Sequence, residues 1–144
     1  MQAAARAIGQ KTTILKAGTV RDIDAAFASV AEMRADALLI GTDSFFFIRA
    51  PQLIVLAVRY RMPTLYFRRE FAAAGGLMSY GSNPDEHYRV VGTYVGRILK
   101  GEKPSDLPIQ LPTKFELVIN LSTAKALNLD VSPTILASAD EVIE

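Results

Sequence analysis

Pro63-Thr64-Leu65-Tyr66-Phe67-Arg68-Arg69-Glu70-Phe71-Ala72-Ala73-Ala74-Gly75-Gly76-Leu77-Met78-Ser79-Tyr80 decides how the chain is read. Residues 64–67 are apolar on both faces, as strands buried on both sides are. Pro63 stops whatever precedes them, because it cannot continue a helix. Residues 70–74 make a short helical turn that ends at Gly75-Gly76. Residues 77–80 read as a second strand. Strand, turn and strand in so few residues set the expectation of an α/β chain.

Outward from this stretch the alternation continues. Upstream, residues 50–61 form a helix with Pro51 in its first turn, where a missing N–H costs nothing. Residues 37–40 form another doubly apolar strand, broken by Gly41-Thr42-Asp43-Ser44. Ile23, Ala26, Phe27, Val30 and Met33 recur at helical spacing and place a helix over 20–34. Thr19 stands three residues before Asp22, a variant of the capping box. Residues 12–15 are rich in β-branched side chains and read as a strand. Residues 2–9 read as the end of a helix that Gly9 terminates.

Downstream, Ser82-Asn83-Pro84-Asp85-Glu86 is the clearest helix start. Asn83 can cap, Pro84 suits the first helical position, and the two acids complement the positive end of the helix dipole. His87, Val91, Tyr94, Val95 and Ile98 then share one face, up to Gly101. Prolines 104, 108 and 112 make residues 101–114 a connector. Residues 115–120 are a strand and 122–127 a short helix. A last helix is expected from Ser132-Pro133 to the C-terminus. The order predicts a mainly parallel sheet with helices on both faces.

Composition narrows the function. The 144 residues are 50% hydrophobic and 22% charged, with a net charge of +1. That excludes a disordered tail and offers no global field for nucleic acid or anionic lipid. Without cysteine there is no disulfide, thiolate nucleophile or cysteine-held zinc. A single histidine, His87, rules out a site of two histidine ligands. The longest apolar run, 53–58, is far shorter than the roughly 20 residues that span a bilayer. The first ten residues hold no apolar run of export-leader length. No Gly-x-Gly-x-x-Gly, phosphate-binding loop, Gly-x-Ser-x-Gly elbow or carboxylate set spaced for a metal occurs, so neither a cofactor nor catalytic residues are assigned.

Open parallel sheets bind ligands beyond the carboxyl ends of their strands. Three segments fall there: Thr42-Asp43-Ser44, Arg68-Arg69-Glu70 and Ser79-Tyr80-Gly81. They offer hydroxyls, carboxylates, guanidinium groups and an aromatic face, which suits a small polar ligand such as an amino acid. Each also has a plainer reading. Asp43 can be a helix cap, Arg68 and Glu70 a solvated pair, and Tyr80 a core residue with its hydroxyl at the rim. The run Phe45-Phe46-Phe47 cannot point wholly inward, so one ring faces a cleft, a partner or water. His87 has no nucleophile or carboxylate in a recognisable pattern beside it.

Several segments together resemble a known family. They are Arg69-Glu70-Phe71, Ala74-Gly75-Gly76-Leu77-Met78-Ser79-Tyr80-Gly81 and Arg97-Ile98-Leu99-Lys100-Gly101-Glu102-Lys103-Pro104. Pro112-Thr113-Lys114-Phe115-Glu116-Leu117-Val118-Ile119-Asn120-Leu121 and Ala139-Asp140-Glu141-Val142-Ile143-Glu144 complete the set. The chain is similar to the substrate-binding proteins of ABC transporters, in particular the tryptophan-binding, TrpX-like group. That resemblance implies a periplasmic-binding-protein type 1 fold, in which two lobes close on a ligand that passes to a membrane permease. It implies that residues 1–78 are most of the second lobe, without its first strand. Residues 79–144 would be a crossover, a helix, a linker and a closing strand and helix associated with the first lobe. The cleft residues it implies are Thr42, Asp43, Glu70, Ser79 and Tyr80, and Ser44 of the same strand-end segment completes the expected ligand set. Family members are periplasmic or lipid-anchored, and a chain with one lobe is expected to self-associate. Two other readings stay open: a receiver-like signalling domain with Asp43 as phospho-acceptor, and a non-catalytic small-molecule sensor.

Overall fold

A computed structural model describes residues 2–144. The chain divides into two compact units, residues 1–35 and 36–144.

In the first unit, α1 (Gln2–Ala7) ends where Gly9 takes a left-handed conformation, φ 73°. The amides of Gly9 and Gln10 turn back to the carbonyls of Arg6 and Ala5, closing the helix. Helix α2 (Val20–Glu32) carries the expected capping box: Thr19 Oγ1 accepts from Asp22 N at 3.2 Å and Asp22 Oδ2 accepts from Thr19 N at 2.9 Å. Gly18 N donates to the same carboxylate oxygen at 3.0 Å. Ile23, Phe27 and Val30, four and three residues apart, are the buried side chains of α2. The strand expected at 12–15 is not present, and residues 10–18 have no regular structure. β-branched side chains favour a strand mainly through contacts with a neighbouring strand, and this stretch has no such neighbour among the described residues.

The second unit is a five-stranded sheet in the order β1 (Leu38–Leu39), β2 (Thr64–Tyr66), β3 (Met78–Ser82), β4 (Phe115–Asn120), β5 (Glu141–Ile143). All neighbouring pairs are parallel except β3 and β4, so the predicted mainly parallel α/β class holds. Helices α3 (Ser44–Ile48) and α4 (Ala50–Arg59) join β1 to β2, and α5 (Arg69–Ala73) joins β2 to β3. Helix α6 (Pro84–Leu99) and a 3-10 turn at Pro104–Asp106 lie between β3 and β4. Helices α7 (Leu121–Ala126) and α8 (Pro133–Ala137) lead to β5. The expected C-terminal helix therefore stops after five residues. Asp140 exchanges bonds with Leu117, its N–H donating to Leu117 O and its Oδ2 accepting from Leu117 N at 2.8 Å, and this sets 141–143 on the edge of β4. A ladder available at that edge outweighs a weak helical preference at β-branched Val142 and Ile143.

Packing is tightest around α5. Phe71 and Ala72 are fully buried, and the Phe71 ring stacks on Tyr66 at 4.7 Å between centroids. Burial pushes the Tyr66 hydroxyl pKa up to about 12, so the ring stays neutral. Buried Asn120 ties three elements together: its Nδ2 donates to Ala72 O, its Oδ1 accepts from Thr123 N as the cap of α7, and its backbone N donates to Leu77 O. Gly81 has no room for a side chain, since a Cβ there would lie 2.0 Å from the carbonyl oxygen of Phe67. This close approach fixes the height of β3 against the β2–α5 turn.

Candidate functional site

Because β1, β2 and β3 run parallel, their carboxyl ends share one rim of the sheet. Thr42-Asp43-Ser44 follows β1, Arg68-Arg69-Glu70 follows β2, and Tyr80 lies toward the end of β3. Strand β2 pairs with β3 only at Met78 and Ser79, while β4 pairs along the whole of β3 to Ser82. Strand β5 in turn pairs with β4 only from Val118 to Asn120. Residues 80–82 and 115–117 therefore extend past both neighbours as a two-stranded ribbon, and this ribbon carries residues 83–114.

Thr42, Asp43 and Ser44 are exposed. Asp43 caps α3, with Oδ1 accepting from Phe45 N at 2.7 Å. Helix α3 itself was not expected from the sequence. A single turn of Ser-Phe-Phe-Phe-Ile has little intrinsic helicity, and its cap and ring contacts hold it. Phe47 sits edge-on to Phe71 at 6.1 Å, and the Arg68 guanidinium lies 4.6 Å from the Phe47 ring centroid. Arg68 also pairs with Glu70 at 3.0 Å. Both are substantially exposed, so the solvated-pair reading describes them as well as the site reading does.

Ser79 and Tyr80 go to opposite faces of the sheet, as neighbours on a strand must. Ser79 is level with Tyr66 and Val118, on the face that α5 covers. It is 1% exposed, and its hydroxyl has no hydrogen-bond partner among the described residues. Tyr80 is 54% exposed and stacks on Phe115, itself 47% exposed, at 5.7 Å and 19°. Thr42, Asp43, Ser44, Glu70 and Tyr80 are thus accessible groups toward the carboxyl ends of successive strands, with Tyr80 on the face opposite α5, while the Ser79 side chain is buried on the α5 face.

Three contacts escaped the sequence. Arg69 grips Glu141 with two bonds, 2.7 and 2.6 Å, across 72 residues of chain. The Glu141 carboxylate raises the Arg69 pKa, keeping the guanidinium charged. Asn83 Nδ2 donates to Glu116 Oε1 at 2.5 Å. With Asp140 these residues line a polar hollow beside the ribbon, which none of the six expected ligand residues lines. Phe115 was the third omission. Its pairing with Tyr80 follows from the antiparallel register, which no local pattern shows. His87 is exposed on α6. Among the described residues no three His, Cys, Asp or Glu side chains converge to hold a metal ion, and no helix is long and apolar enough to cross a membrane.

Residues 1–143 match the family described as ABC transporter substrate binding protein, and the chain belongs to that family. Membership sets aside the receiver-like reading of Asp43. No curated protein matches the chain. Among solved structures it is similar to a conserved domain protein from Vibrio cholerae O1 biovar El Tor, with 24% identity and a TM-score of 0.90 over 98% of this chain and 47% of that one. It is also similar to an ABC domain in complex with L-Trp from Streptococcus pneumoniae, with 21% identity and a TM-score of 0.89 over 99% of this chain and 49% of that one. A third likeness is to a ligand-free, open substrate-binding protein with adhesive properties from Clostridium difficile, at 20% identity and a TM-score of 0.67 over 99% of this chain and 47% of that one. The chain spans about half the length of these structures. At such identities the likeness carries the fold.

Proposed function

We propose that the chain is part of the solute-binding component of an ABC importer, working outside the cytoplasmic membrane, periplasmic or lipid-anchored, and delivering a small polar molecule to a permease. The observation that carries this reading is the family match over residues 1–143, joined to a rim on which Thr42, Asp43, Ser44, Glu70 and Tyr80 follow the ends of parallel strands. Residues 1–78 then supply most of one lobe, and 79–144 cross toward a companion lobe and close the sheet.

An amino acid is the ligand class that fits the rim. The Asp43 and Glu70 carboxylates suit an ammonium group, Thr42 and Ser44 offer hydroxyl donors, and the exposed face of Tyr80 suits an apolar side chain. Ser79 is the sixth residue of the expected ligand set, and its buried hydroxyl is left without a hydrogen-bond partner among the described residues. The pneumococcal relative in complex with L-Trp supports the choice. The family is a binding kind rather than a catalytic one, and binding coupled to lobe closure needs only contacts made better in the closed state.

Calorimetry with a panel of aromatic and branched amino acids tests the reading. Binding that falls by tenfold or more in Asp43→Asn and in Tyr80→Ala is the expected result. Absence of heat with every member of the panel overturns the amino-acid assignment.

A further inference from the structure

Two guanidinium groups stand in the strand-end segments, and the fold treats them differently. Arg69 is committed. It grips Glu141 with two bonds, at 2.7 and 2.6 Å, and so belongs to the clamp that fastens β5. The ion pair of Arg68 is local, from one terminal nitrogen to Glu70 Oε1 at 3.0 Å. A guanidinium carries five N–H donors in a planar fork, so a single carboxylate oxygen at one nitrogen does not use it up. The Arg68 side chain is 31% exposed, partly enclosed rather than loose in water.

Three contacts place this fork where the ends of β1, β2 and β3 come together. Arg68 follows β2 by two residues. Its guanidinium carbon lies 4.6 Å from the centroid of the Phe47 ring. Phe47 is one turn along α3 from the capping residue, its N–H donating to the backbone carbonyl of Asp43 at 3.1 Å. The same ring sits edge-on to fully buried Phe71 at 6.1 Å, so the surface against the guanidinium is anchored in the core. Strand β3 arrives at Gly81, where a Cβ would lie 3.8 Å from Arg68 N. A solvated ion pair needs none of these contacts. A cation packed on a fixed ring and tied to a carboxylate is held in place before a ligand arrives, which lowers the ordering cost of binding.

An α-amino acid brings a carboxylate as well as an ammonium group. Asp43 and Glu70 answer the ammonium. No lysine or histidine stands at 42–44, 68–70 or 79–81, and Arg69 is clamped, so Arg68 is the cation left in these segments for the acid group. The Arg68–Glu70 pair also sets unlike charges 3.0 Å apart, and a zwitterion laid alongside it meets an opposite charge at each end.

We propose that Arg68 is the carboxylate anchor of the site, holding the acid group of the ligand in its fork and selecting amino acids with a free α-carboxylate over their amides. The assignment rests on the amino-acid reading given above and adds to it a residue outside the expected ligand set.

Calorimetry on the full chain tests it at about pH 6, where the α-amino groups of acid and amide alike stay protonated. L-phenylalanine, L-tyrosine, L-tryptophan, L-leucine, L-isoleucine and L-valine are each compared with their own α-amide. The best-bound acid is expected to bind about tenfold or more tightly than its amide, and in Arg68→Gln that ratio should fall to about twofold or less. Arg68→Lys keeps the charge without the fork and should recover only part of the ratio. Arg69→Gln, which opens the β5 clamp, should leave the ratio as it is in the unmodified chain. Since the Arg68–Glu70 pair is partly exposed, the Arg68 variants should keep the circular dichroism of the parent. An amide bound as tightly as its acid overturns the proposal and leaves the amino-acid class standing. So does a ratio that survives Arg68→Gln with both ligands weakened alike, which would make Arg68 a structural residue. Absence of heat with every acid and every amide overturns the amino-acid reading itself, and the anchor with it.

Discussion

Gly81 shows how much a single residue can decide here. Its backbone passes so close to Phe67 that an alanine Cβ would overlap a carbonyl oxygen, and neither partner is a flexible side-chain end. Gly81→Ala is expected to lower stability by about 2–3 kcal/mol, the usual size of overpacking in a tight site, read as a shift in urea midpoint. An unchanged midpoint would mean that β3 does not run against the β2–α5 turn. Phe71 is the counterpart in volume. It is fully buried and touches Tyr66, Phe47 and Phe67. Phe71→Ala should cost about 3–5 kcal/mol and loosen α3 together with α5, since the Phe47 ring loses its partner. Asp43 caps α3, and its proposed use as a ligand-holding carboxylate is a second role to separate from that one. Asp43→Asn keeps an acceptor for Phe45 N, so stability should hold within about 0.5 kcal/mol while affinity for a cationic group falls.

Among the elements, α2 is one whose stability should answer to pH. Backbone bonds from Gly18 and Thr19 and the Thr19 hydroxyl hold the Asp22 carboxylate below its ordinary value of 3.8. The native state therefore binds that proton less readily than the unfolded chain, so the cap is fully present above pH 4 and is lost as pH falls through the lowered native value. Amide exchange at residues 19–23 should quicken in that acid range, and Asp22→Asn should remove the dependence. Strand β5 is held differently, by the Arg69–Glu141 clamp and the Asp140 bonds. Since both clamp side chains are partly exposed, Glu141→Gln should cost no more than about 1 kcal/mol overall, yet it should speed exchange at 141–143 well before the central strands.

For the whole molecule, the family and the fold stand on a match to nearly every residue, while the length covers half of the solved relatives. Residues 83–114, with α6, hang on the ribbon of β3 and β4.

Much of this was legible in local patterns. Thr19 with Asp22 and Asn83 with Pro84 place caps, and the doubly apolar runs at 37–40 and 64–67 place strands, because those signals act over three or four residues; of the two strands only β2 is buried, since β1 stands at the sheet edge with Leu39 47% exposed. The sheet class and the candidate rim followed from their order. What local pattern could not give was pairing across the chain. Residues 12–15 look like a strand but have no strand neighbour among the described residues, 141–143 look like a helix end but meet the edge of β4, and Arg69 finds Glu141 only once the sheet has formed. Ser79 and Tyr80 read alike in the sequence, and the register of β3 alone turned one under α5 and the other to the solvent. Short-range hydrogen bonding and hydrophobic period are written in neighbouring residues; ladders, close approaches and burial depend on which distant segments meet, and only the folded chain brings those together.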